Sequence, residues 1–248
     1  MRLMIKAAGP RTIVVGSTGC MYVANTTYYS TPWVVPWMHT QLGSSVRSNR
    51  HSAGLASQMR KGKMKDEPIN VIAFCGDGGG VDMGLSAKSA ALQHDEYNLL
   101  ILCYDNESYA NTDIQVSGSS PWGANSTFSP PGKVHNIMSH RWKKNTAPML
   151  ATGHPNCKYV ATHAVLTDWI SQIKSVGPHH RRTNIHALYR SMSQRLGYDP
   201  KYSHELGMLA VETGIWVQYE IVEGELILNG PSRASPMASD KENRLRNT

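Results

Sequence analysis

A glycine-rich turn between two short apolar runs constrains the fold of this chain more than any other feature. Residues 69–74 and residues 99–103 are mostly apolar runs of strand length, and Gly-Asp-Gly-Gly-Gly at 76–80 follows the first of them. The segment between the runs repeats apolar residues at the spacing of one helix face: Met83, Ala87, Ala90 and Ala91. Strand, turn, helix and strand within about 35 residues make a βαβ unit, which predicts two parallel strands.

The rest of the chain fits a single α/β domain built around this unit. We expect a mostly parallel sheet with helices on both faces over residues 1–228, followed by a polar, disordered tail over 229–248. The loop over 111–133 is rich in Ser, Thr, Gly and Pro, which is typical of a binding loop or a lid. Further strands and a terminal hairpin are predicted at 12–15, 158–162, 184–188, 216–222 and 225–228.

Composition and charge exclude several classes of protein. The 248 residues carry 25 Lys and Arg against 18 Asp and Glu. No apolar run approaches the roughly 18–20 residues of a membrane span. No apolar leader follows Met1, so we expect a cytoplasmic protein. The basic residues are scattered, which disfavours nucleic-acid binding and leaves an acidic protein partner at least as compatible with the charge.

The four cysteines do not suggest a disulfide framework. Cys20, Cys75, Cys103 and Cys157 form no Cys-x-x-Cys pair. Cys75 and Cys103 lie in or beside the two apolar runs, so we interpret them as core residues rather than reactive thiols.

Polar residues follow both strands of the βαβ unit, at the strand ends where ligands of open α/β sheets bind. Asp77 follows the first strand and Asn106 follows the second, 28 positions beyond Gly78. Carboxylate and amide oxygens suit Mg²⁺, and glycine backbone can approach a diphosphate closely. We predict that Asp77 and Asn106 share one Mg²⁺, with their side-chain oxygens within about 8 Å of each other.

A helix beginning near Asp82 would direct its positive end at the same anion. For the Gly-Asp-Gly motif taken alone, the alternative interpretation is a plain tight turn after a buried strand.

Longer motifs make the chain similar to a known family. Gly-Asp-Gly-Gly at 76–79 is followed by Tyr-Asp-Asn-Glu-Ser-Tyr-Ala-Asn-Thr-Asp-Ile-Gln-Val-Ser-Gly-Ser-Ser-Pro-Trp-Gly-Ala at 104–124. Together they resemble the thiamine diphosphate subunit of 2-oxoacid:ferredoxin oxidoreductases, of the pyruvate synthase β type. Thr-Gly-Cys at 18–20, Trp-Val-Val-Pro-Trp at 33–37 and Leu-Ala-Val-Glu-Thr-Gly-Ile-Trp at 209–216 extend the resemblance over most of residues 1–228.

The resemblance implies a fold, an activity and partners. It implies a thiamine diphosphate-binding fold and the oxidative decarboxylation of pyruvate or another 2-oxoacid to acyl-coenzyme A and CO₂, with electrons passed to ferredoxin. The implied partners are an α subunit, together with γ and δ subunits, and ferredoxin. In this family the carboxylate that activates the aminopyrimidine ring belongs to the α subunit, so we assign it to no residue here.

The resemblance also implies roles for individual residues. Asp77 and Asn106 would bind Mg²⁺ through side-chain oxygens and Ser108 through its carbonyl, while Asn111 would lie near the carbon of thiamine to which the 2-oxoacid adds. The implied cofactor-binding residues are Cys20, Gly76, Asp77, Gly78, Gly79, Asn106, Glu107, Ser108, Tyr109 and Asn111.

The sequence departs from the family at the iron–sulfur cluster. Family members bind a 4Fe–4S cluster through four cysteines; here Cys20 matches one of them and Met192 occupies the place of another. One thiolate cannot hold a cubane cluster, so we expect none bound by this chain alone. This leaves two alternatives open: a decarboxylase-like thiamine diphosphate subunit without the cluster, or a non-catalytic scaffold with the same fold. Asp113 replaces the glycine usual in Asn-Thr-Gly, so a positive φ there would be mildly strained.

Overall fold

The apolar runs form the central strands of one sheet. The structure, a computed structural model, describes residues 2–25, 33–94, 98–128, 142–164, 184–189 and 198–234. Its eight strands lie side by side in the order β2-β1-β3-β4-β6-β5-β7-β8. They are β1 Thr12–Ser17, β2 Trp37–Thr40, β3 Asn70–Gly76, β4 Leu99–Asp105, β5 Tyr159–His163, β6 Asn184–Tyr189, β7 Tyr219–Val222 and β8 Glu225–Leu228.

The sheet is mostly parallel, as the βαβ unit predicts. All pairings from β2 through β5 are parallel, whereas β7 pairs antiparallel with both β5 and β8. The β7–β8 hairpin turns at Glu223 and Gly224, both with positive φ, so the predicted terminal hairpin is confirmed. The predicted α/β class is confirmed as well.

Helices cover the sheet on two sides. Alternate residues of β3 join two different hydrophobic clusters: Val71, Ala73 and Cys75 belong to one, and Ile72 and Phe74 to the other. Because successive side chains of a strand point to opposite faces, both faces of β3 are covered, which explains why its sequence is continuously apolar.

The helices of the described residues are short. None of them has the length and the apolar composition that crossing a membrane requires. They are α1 Arg2–Ala8, α2 Cys20–Ala24, α3 Asn49–Arg60, α4 Leu85–Leu92, α5 Thr146–Gly153, α6 Ser203–Glu212 and α7 Pro231–Ala234, with a π-helical segment at Gly78–Met83 and 3₁₀ turns at Ser45–Ser48, Ala110–Thr112 and Pro200–Tyr202.

The predicted helix face after the glycine turn is only half right. Ala87 and Ala91 are buried, but Met83 is 53% exposed and Ala90 is exposed. Ala90 lies within α4, on the side opposite to the buried Ala87, Lys88, Ala91 and Leu92. For Met83 the reason is the π-helical segment Gly78–Met83, which precedes α4. A π-helix has more residues per turn than an α-helix, so positions before and after it no longer follow one 3.6-residue repeat.

The predicted start of the disordered tail is too early. Residues Pro231–Ala234 form a helical turn, and the Gln218 backbone N–H donates a 2.9 Å hydrogen bond to the buried Ser232 hydroxyl. The polar composition after Asn229 hid this anchor because it consists of one small hydroxyl group. Residues 235–248 lie outside the described part of the chain, as does Met192.

Candidate cofactor-binding site

A cleft opens where the central strands end. It contains about 450 Å³ of empty space, part of it open to solvent, and lies at the carboxyl ends of β1, β3 and β4. Among its lining residues are nine of the ten predicted cofactor-binding residues: Cys20, Gly76, Asp77, Gly78, Gly79, Asn106, Ser108, Tyr109 and Asn111. The sequence therefore located the cleft and most of its wall.

Sheet register brings the two halves of the predicted metal site together. Gly76, the last residue of β3, pairs with Tyr104, next to last in β4. Asp77 and Asn106 are thus the residues that leave two adjacent parallel strands at the same edge. Their proximity follows from hydrogen bonding between the strands, which local sequence patterns can predict.

Three polar groups converge at this edge. One terminal atom of the Asn106 amide lies 2.9 Å from Asp77 Oδ1 and 2.7 Å from the Ser108 carbonyl oxygen. With the amide nitrogen in that place, it donates to both; with the oxygen there, three acceptors face one another and the nitrogen points to Cys20 Sγ at 3.6 Å. The separation meets the 8 Å criterion. It also resembles the edge of a Mg²⁺ octahedron, about 2.9 Å for bonds of about 2.1 Å.

The Asp77 carboxylate is held in a buried place. It is 2% exposed, and Ser117 donates a hydrogen bond from its hydroxyl to Oδ2. Burial and the nearby charge of Asp105 raise the pKa of Asp77 to about 8. A cation at the three oxygens would reverse this effect, because it favours the ionised carboxylate.

Glycine at position 78 makes room at the floor of the cleft. A Cβ atom there would lie 2.1 Å from the Tyr109 ring, so no larger residue fits without moving the ring. The Tyr109 hydroxyl donates to the Gly78 carbonyl at 3.3 Å and to Asp82 Oδ2 at 3.1 Å. Backbone without side chains therefore faces the cleft in the Gly78–Met83 segment, as a diphosphate site requires.

One buried hydroxyl in the cleft wall has no partner among the described residues. Ser108 is 3% exposed and its Oγ makes no hydrogen bond there. Such groups are rare in folded proteins unless a ligand or water completes them. Asn111, in contrast, is exposed in the turn Ala110–Thr112 at the mouth of the cleft. Its catalytic role stays a prediction.

Glu107 does not line the cleft, although it was predicted to bind the cofactor. Its side chain turns away and accepts a 2.9 Å hydrogen bond from Lys143. Its backbone has a φ of 63°, in the left-handed region. This turn lies between Asn106 and Ser108, so Glu107 contributes to the site through the conformation of the loop.

The sequence predicted that a helix begins near Asp82; in the structure, Asp82 instead holds a loop in place through its side chain. Its carboxylate accepts hydrogen bonds from the Gly118 backbone N–H at 2.8 Å, from Tyr109 and from Lys144 at 2.5 Å. It therefore fastens the loop over 109–118 to the Gly78–Met83 segment, which begins at Gly78, a residue of the cleft wall.

The sequence did not predict a role for several residues of the site. Ser117 was quoted within a motif but given no role, and Lys143 lies outside every motif. Ser120 donates from its hydroxyl to the Glu107 carbonyl at 2.6 Å. A run of small hydroxyl residues in a glycine-containing loop was the one available signal, and it does not say which strand end each hydroxyl contacts.

Two of the four cysteines are neighbours in the core: Cys75 and Cys103 pair across β3 and β4, and their side chains hydrogen bond. Cys20 is half-buried at the cleft, and burial raises the pKa of its thiol. Cys75, Cys103 and Cys157 belong to the hydrophobic core. Over the described ranges, no group of three or more His, Cys, Asp and Glu residues is arranged to hold a metal ion.

Comparison with known proteins agrees with this geometry. Residues 17–181 match the family described as thiamine pyrophosphate enzyme, C-terminal TPP binding domain. The fold and the cleft thus define a domain of the thiamine diphosphate-binding class.

Relatives narrow the class further. Pyruvate synthase subunit PorB of Methanothermobacter thermautotrophicus is 39% identical over 91% of this chain and 75% of its own length. The PorB subunit of Methanocaldococcus jannaschii is 38% identical, over 95% and 79%. The chain belongs to the family of pyruvate synthase PorB subunits, which are thiamine diphosphate-dependent oxidoreductases. The predicted family is confirmed.

A solved structure supports the fold. A 2-oxoglutarate:ferredoxin oxidoreductase from Magnetococcus marinus superposes with a TM-score of 0.57 at 18% identity, covering 77% of this chain and 60% of the other.

Proposed function

We propose that this chain binds magnesium thiamine diphosphate as the β subunit of a pyruvate-type 2-oxoacid:ferredoxin oxidoreductase in the cytoplasm. The reaction would convert pyruvate or another 2-oxoacid to acyl-coenzyme A and CO₂ and pass electrons to ferredoxin. The observation that carries the proposal is the convergence of the Asp77, Asn106 and Ser108 groups within 2.9 Å beside a glycine floor. Membership of the PorB family supports the same assignment.

The magnesium ion would be held by Asp77 Oδ1, the Asn106 amide oxygen and the Ser108 carbonyl. Hard oxygen ligands and octahedral spacing suit Mg²⁺ better than a softer metal. The three groups leave other positions of an octahedron for diphosphate oxygens and water. Ser117, which hydrogen bonds Asp77 Oδ2, would keep Oδ1 turned toward the ion.

The diphosphate would lie against Gly76, Gly78 and Gly79, and the unpartnered Ser108 hydroxyl would donate to one of its oxygens. When bound, thiamine diphosphate supplies the nucleophilic carbon that adds to the keto carbon of the 2-oxoacid and accepts the electrons released with CO₂. Asn111, at the mouth of the cleft, would donate its amide N–H to the incoming 2-oxoacid. The apolar side chain of Leu42, which also lines the cleft, would limit water there.

The described residues do not fit a 4Fe–4S cluster. Cys20 is at the cleft, whereas Cys75, Cys103 and Cys157 are buried members of the hydrophobic core. We therefore derive no electron-transfer step through this part of the chain. Partner α, γ and δ subunits and ferredoxin remain part of the proposal, as the α subunit would supply the missing carboxylate.

The position of the cysteines favours one second candidate. A thiamine diphosphate subunit without a cluster, acting as a decarboxylase-like module, needs the same metal and diphosphate site but no cysteine ligands. A scaffold that binds no cofactor would need neither. An absorption spectrum of the anaerobically purified protein separates the two enzymes, since only a cluster gives a broad visible charge-transfer band.

Calorimetric titration with thiamine diphosphate, with and without Mg²⁺, tests the proposal itself. Wild-type protein is expected to bind the cofactor only with Mg²⁺, and Asp77→Ala is expected to abolish this Mg²⁺-dependent binding because a charged ligand is lost. Asp199→Ala is the matched control, since Asp199 is an exposed carboxylate that caps a distant turn. Equal binding by Asp77→Ala and wild type would remove Asp77 from the site.

A further inference from the structure

A lysine whose side chain is 31% exposed lies behind the proposed metal-binding loop. Lys143 Nζ is 2.9 Å from Glu107 Oε1 and 3.9 Å from Asp105 Oδ2. It also lies 4.7 Å from the centroid of the Trp216 ring, 73 positions further along the chain. None of these contacts reaches into the cleft, so Lys143 is not a ligand of the cofactor.

The group that Lys143 holds is the one strained point of the loop between Asn106 and Ser108. Glu107 has a φ of 63°, which L-residues other than glycine seldom adopt without support from their surroundings. The support is visible on every side of the residue: Asp105 Oδ1 accepts its N–H at 2.9 Å, Ser120 donates to its carbonyl, and Lys143 donates to its carboxylate.

The conformation of Glu107 decides where its neighbours point. Because the chain turns at this residue, the Asn106 side chain and the Ser108 carbonyl face each other at 2.7 Å, beside Asp77. In an extended backbone the two groups would separate. The loop therefore delivers two of the three proposed magnesium ligands only while Glu107 keeps its left-handed turn.

Charge adds a second reason for a cation at this place. Asp77, Asp105 and Glu107 bring three carboxylates to one buried edge, at 2%, 5% and 7% exposure. Burial disfavours the charge of Lys143, but the Asp105 and Glu107 carboxylates outweigh it and raise the Lys143 pKa. The ammonium therefore stays charged and offsets part of the repulsion. The Trp216 ring below it adds a cation–π contact.

We propose that Lys143 is a positioning residue of the cofactor site: its ammonium fixes Glu107 in the left-handed turn and thereby orients Asn106 and Ser108 for Mg²⁺. The inference rests on the proposed function, since it concerns the same metal ion. It assigns a role to a residue that belongs to none of the motifs, and it couples the metal loop to the turn that carries Trp216.

Lys143→Met removes the ammonium and keeps the length of the side chain. The measurement is the Mg²⁺ concentration that gives half-maximal thiamine diphosphate binding, by calorimetry on the full chain with the subunits that co-purify with it. We expect this concentration to rise about 10–100-fold, as for other groups that orient metal ligands from behind. Lys143→Arg keeps the charge and is expected to recover most of the loss.

Lys201→Met is a matched control. Lys201 Nζ lies 3.0 Å from Asp199 and 4.8 Å from the Tyr202 ring, so it makes the same two kinds of contact on an exposed surface. The Lys201→Met substitution should leave the Mg²⁺ requirement for thiamine diphosphate binding unchanged. A lower unfolding temperature of Lys143→Met with a wild-type Mg²⁺ requirement would show a merely structural role and overturn the proposal.

Two further outcomes are separable. Should Lys143→Met fail to fold, Glu107→Gln keeps the shape of the loop while removing the ion pair, and it must raise the Mg²⁺ requirement as well; a wild-type value overturns the proposal. Absence of Mg²⁺-dependent binding in wild type would overturn the proposed function and this inference together. Normal wild-type binding with an unaffected Lys143→Met overturns this inference alone.

Discussion

The middle of the two central strands and their carboxyl ends are equally buried but chemically opposite. Phe74 and Ile101 in the middle are both 0% exposed, and Asp77 and Asn106 just beyond the ends are 2% and 5% exposed. The middle packs aliphatic and aromatic groups on both faces of the sheet. The ends gather carboxylates, an amide and hydroxyl groups around a cleft.

Burial therefore has opposite consequences in these two regions. In the middle, removing apolar area from water stabilises the fold by about 25 cal/mol per Å². At the ends, burial raises the pKa of Asp77, and Glu107 and Asp113 adopt positive φ values. The ends are thus less stable without a ligand than the middle is, and a bound cation would remove part of the difference.

The largest effect is expected from truncation in the middle region. Phe74→Ala deletes a fully buried ring from the cluster that includes Tyr22 and Ile72, and should lower the free energy of unfolding by about 3–5 kcal/mol. Urea unfolding followed by circular dichroism measures it. A loss below about 1 kcal/mol would break the comparison, because the middle would then contribute no more than the ends.

The next effect is expected at Asp77 in the cofactor-free protein, where removing the carboxylate should stabilise the fold near neutral pH. Its pKa is raised from 3.8 to about 8, so folding favours the protonated form. Stability from this group is present below about pH 4 and is lost as pH rises from there to about 8, by about 4 kcal/mol near pH 7. Asp77→Asn cannot ionise and should lack this loss.

The measurement is urea unfolding of both proteins between pH 4 and pH 8 without Mg²⁺, and the difference between them isolates Asp77 from other titrating groups. Curves that stay parallel over this range would contradict the prediction. Added Mg²⁺ should stabilise wild type and leave Asp77→Asn nearly unchanged, which would sharpen the contrast between the two regions.

The smallest effect is expected at Asp113, which follows the turn at the mouth of the cleft. Its φ of 84° confirms that this position lies in the left-handed region. Asp113→Gly removes the strain and should raise the unfolding free energy by about 0.5 kcal/mol, partly offset by the greater freedom of glycine in the unfolded chain. Asp113→Ala keeps the strain without the local polar group and should lower the free energy of unfolding. A higher free energy of unfolding for Asp113→Ala would argue against strain at this position.

The local order of apolar and polar residues predicted much of the cleft. The two apolar runs indicated β3 and β4, and the polar residues after them indicated where Asp77 and Asn106 would meet. The hairpin of β7 and β8 was equally readable from its turn. Ala87 and Ala91 were placed correctly, but Met83 and Ala90 were not. Met83 was missed because nothing in the sequence marks the π-helical segment before α4.

The local order of apolar and polar residues could not predict contacts between segments that are distant in the sequence. Ser117 bonds to Asp77 across 40 positions and Lys143 to Glu107 across 36. A lysine in an irregular segment carries no local signal of its partner. Glu107 was predicted to bind the cofactor, whereas its side chain contacts Lys143. The motif gives the identity of Glu107 and not the direction of its side chain.

The order of apolar and polar residues by itself determined the parallel sheet and the edge at which a ligand can bind, because strand periodicity and strand ends are local properties of a chain. Only the tertiary structure decided which groups stand behind that edge. Their placement depends on how loops from separate parts of the chain pack over the finished sheet, as Lys143 and Ser120 do at Glu107.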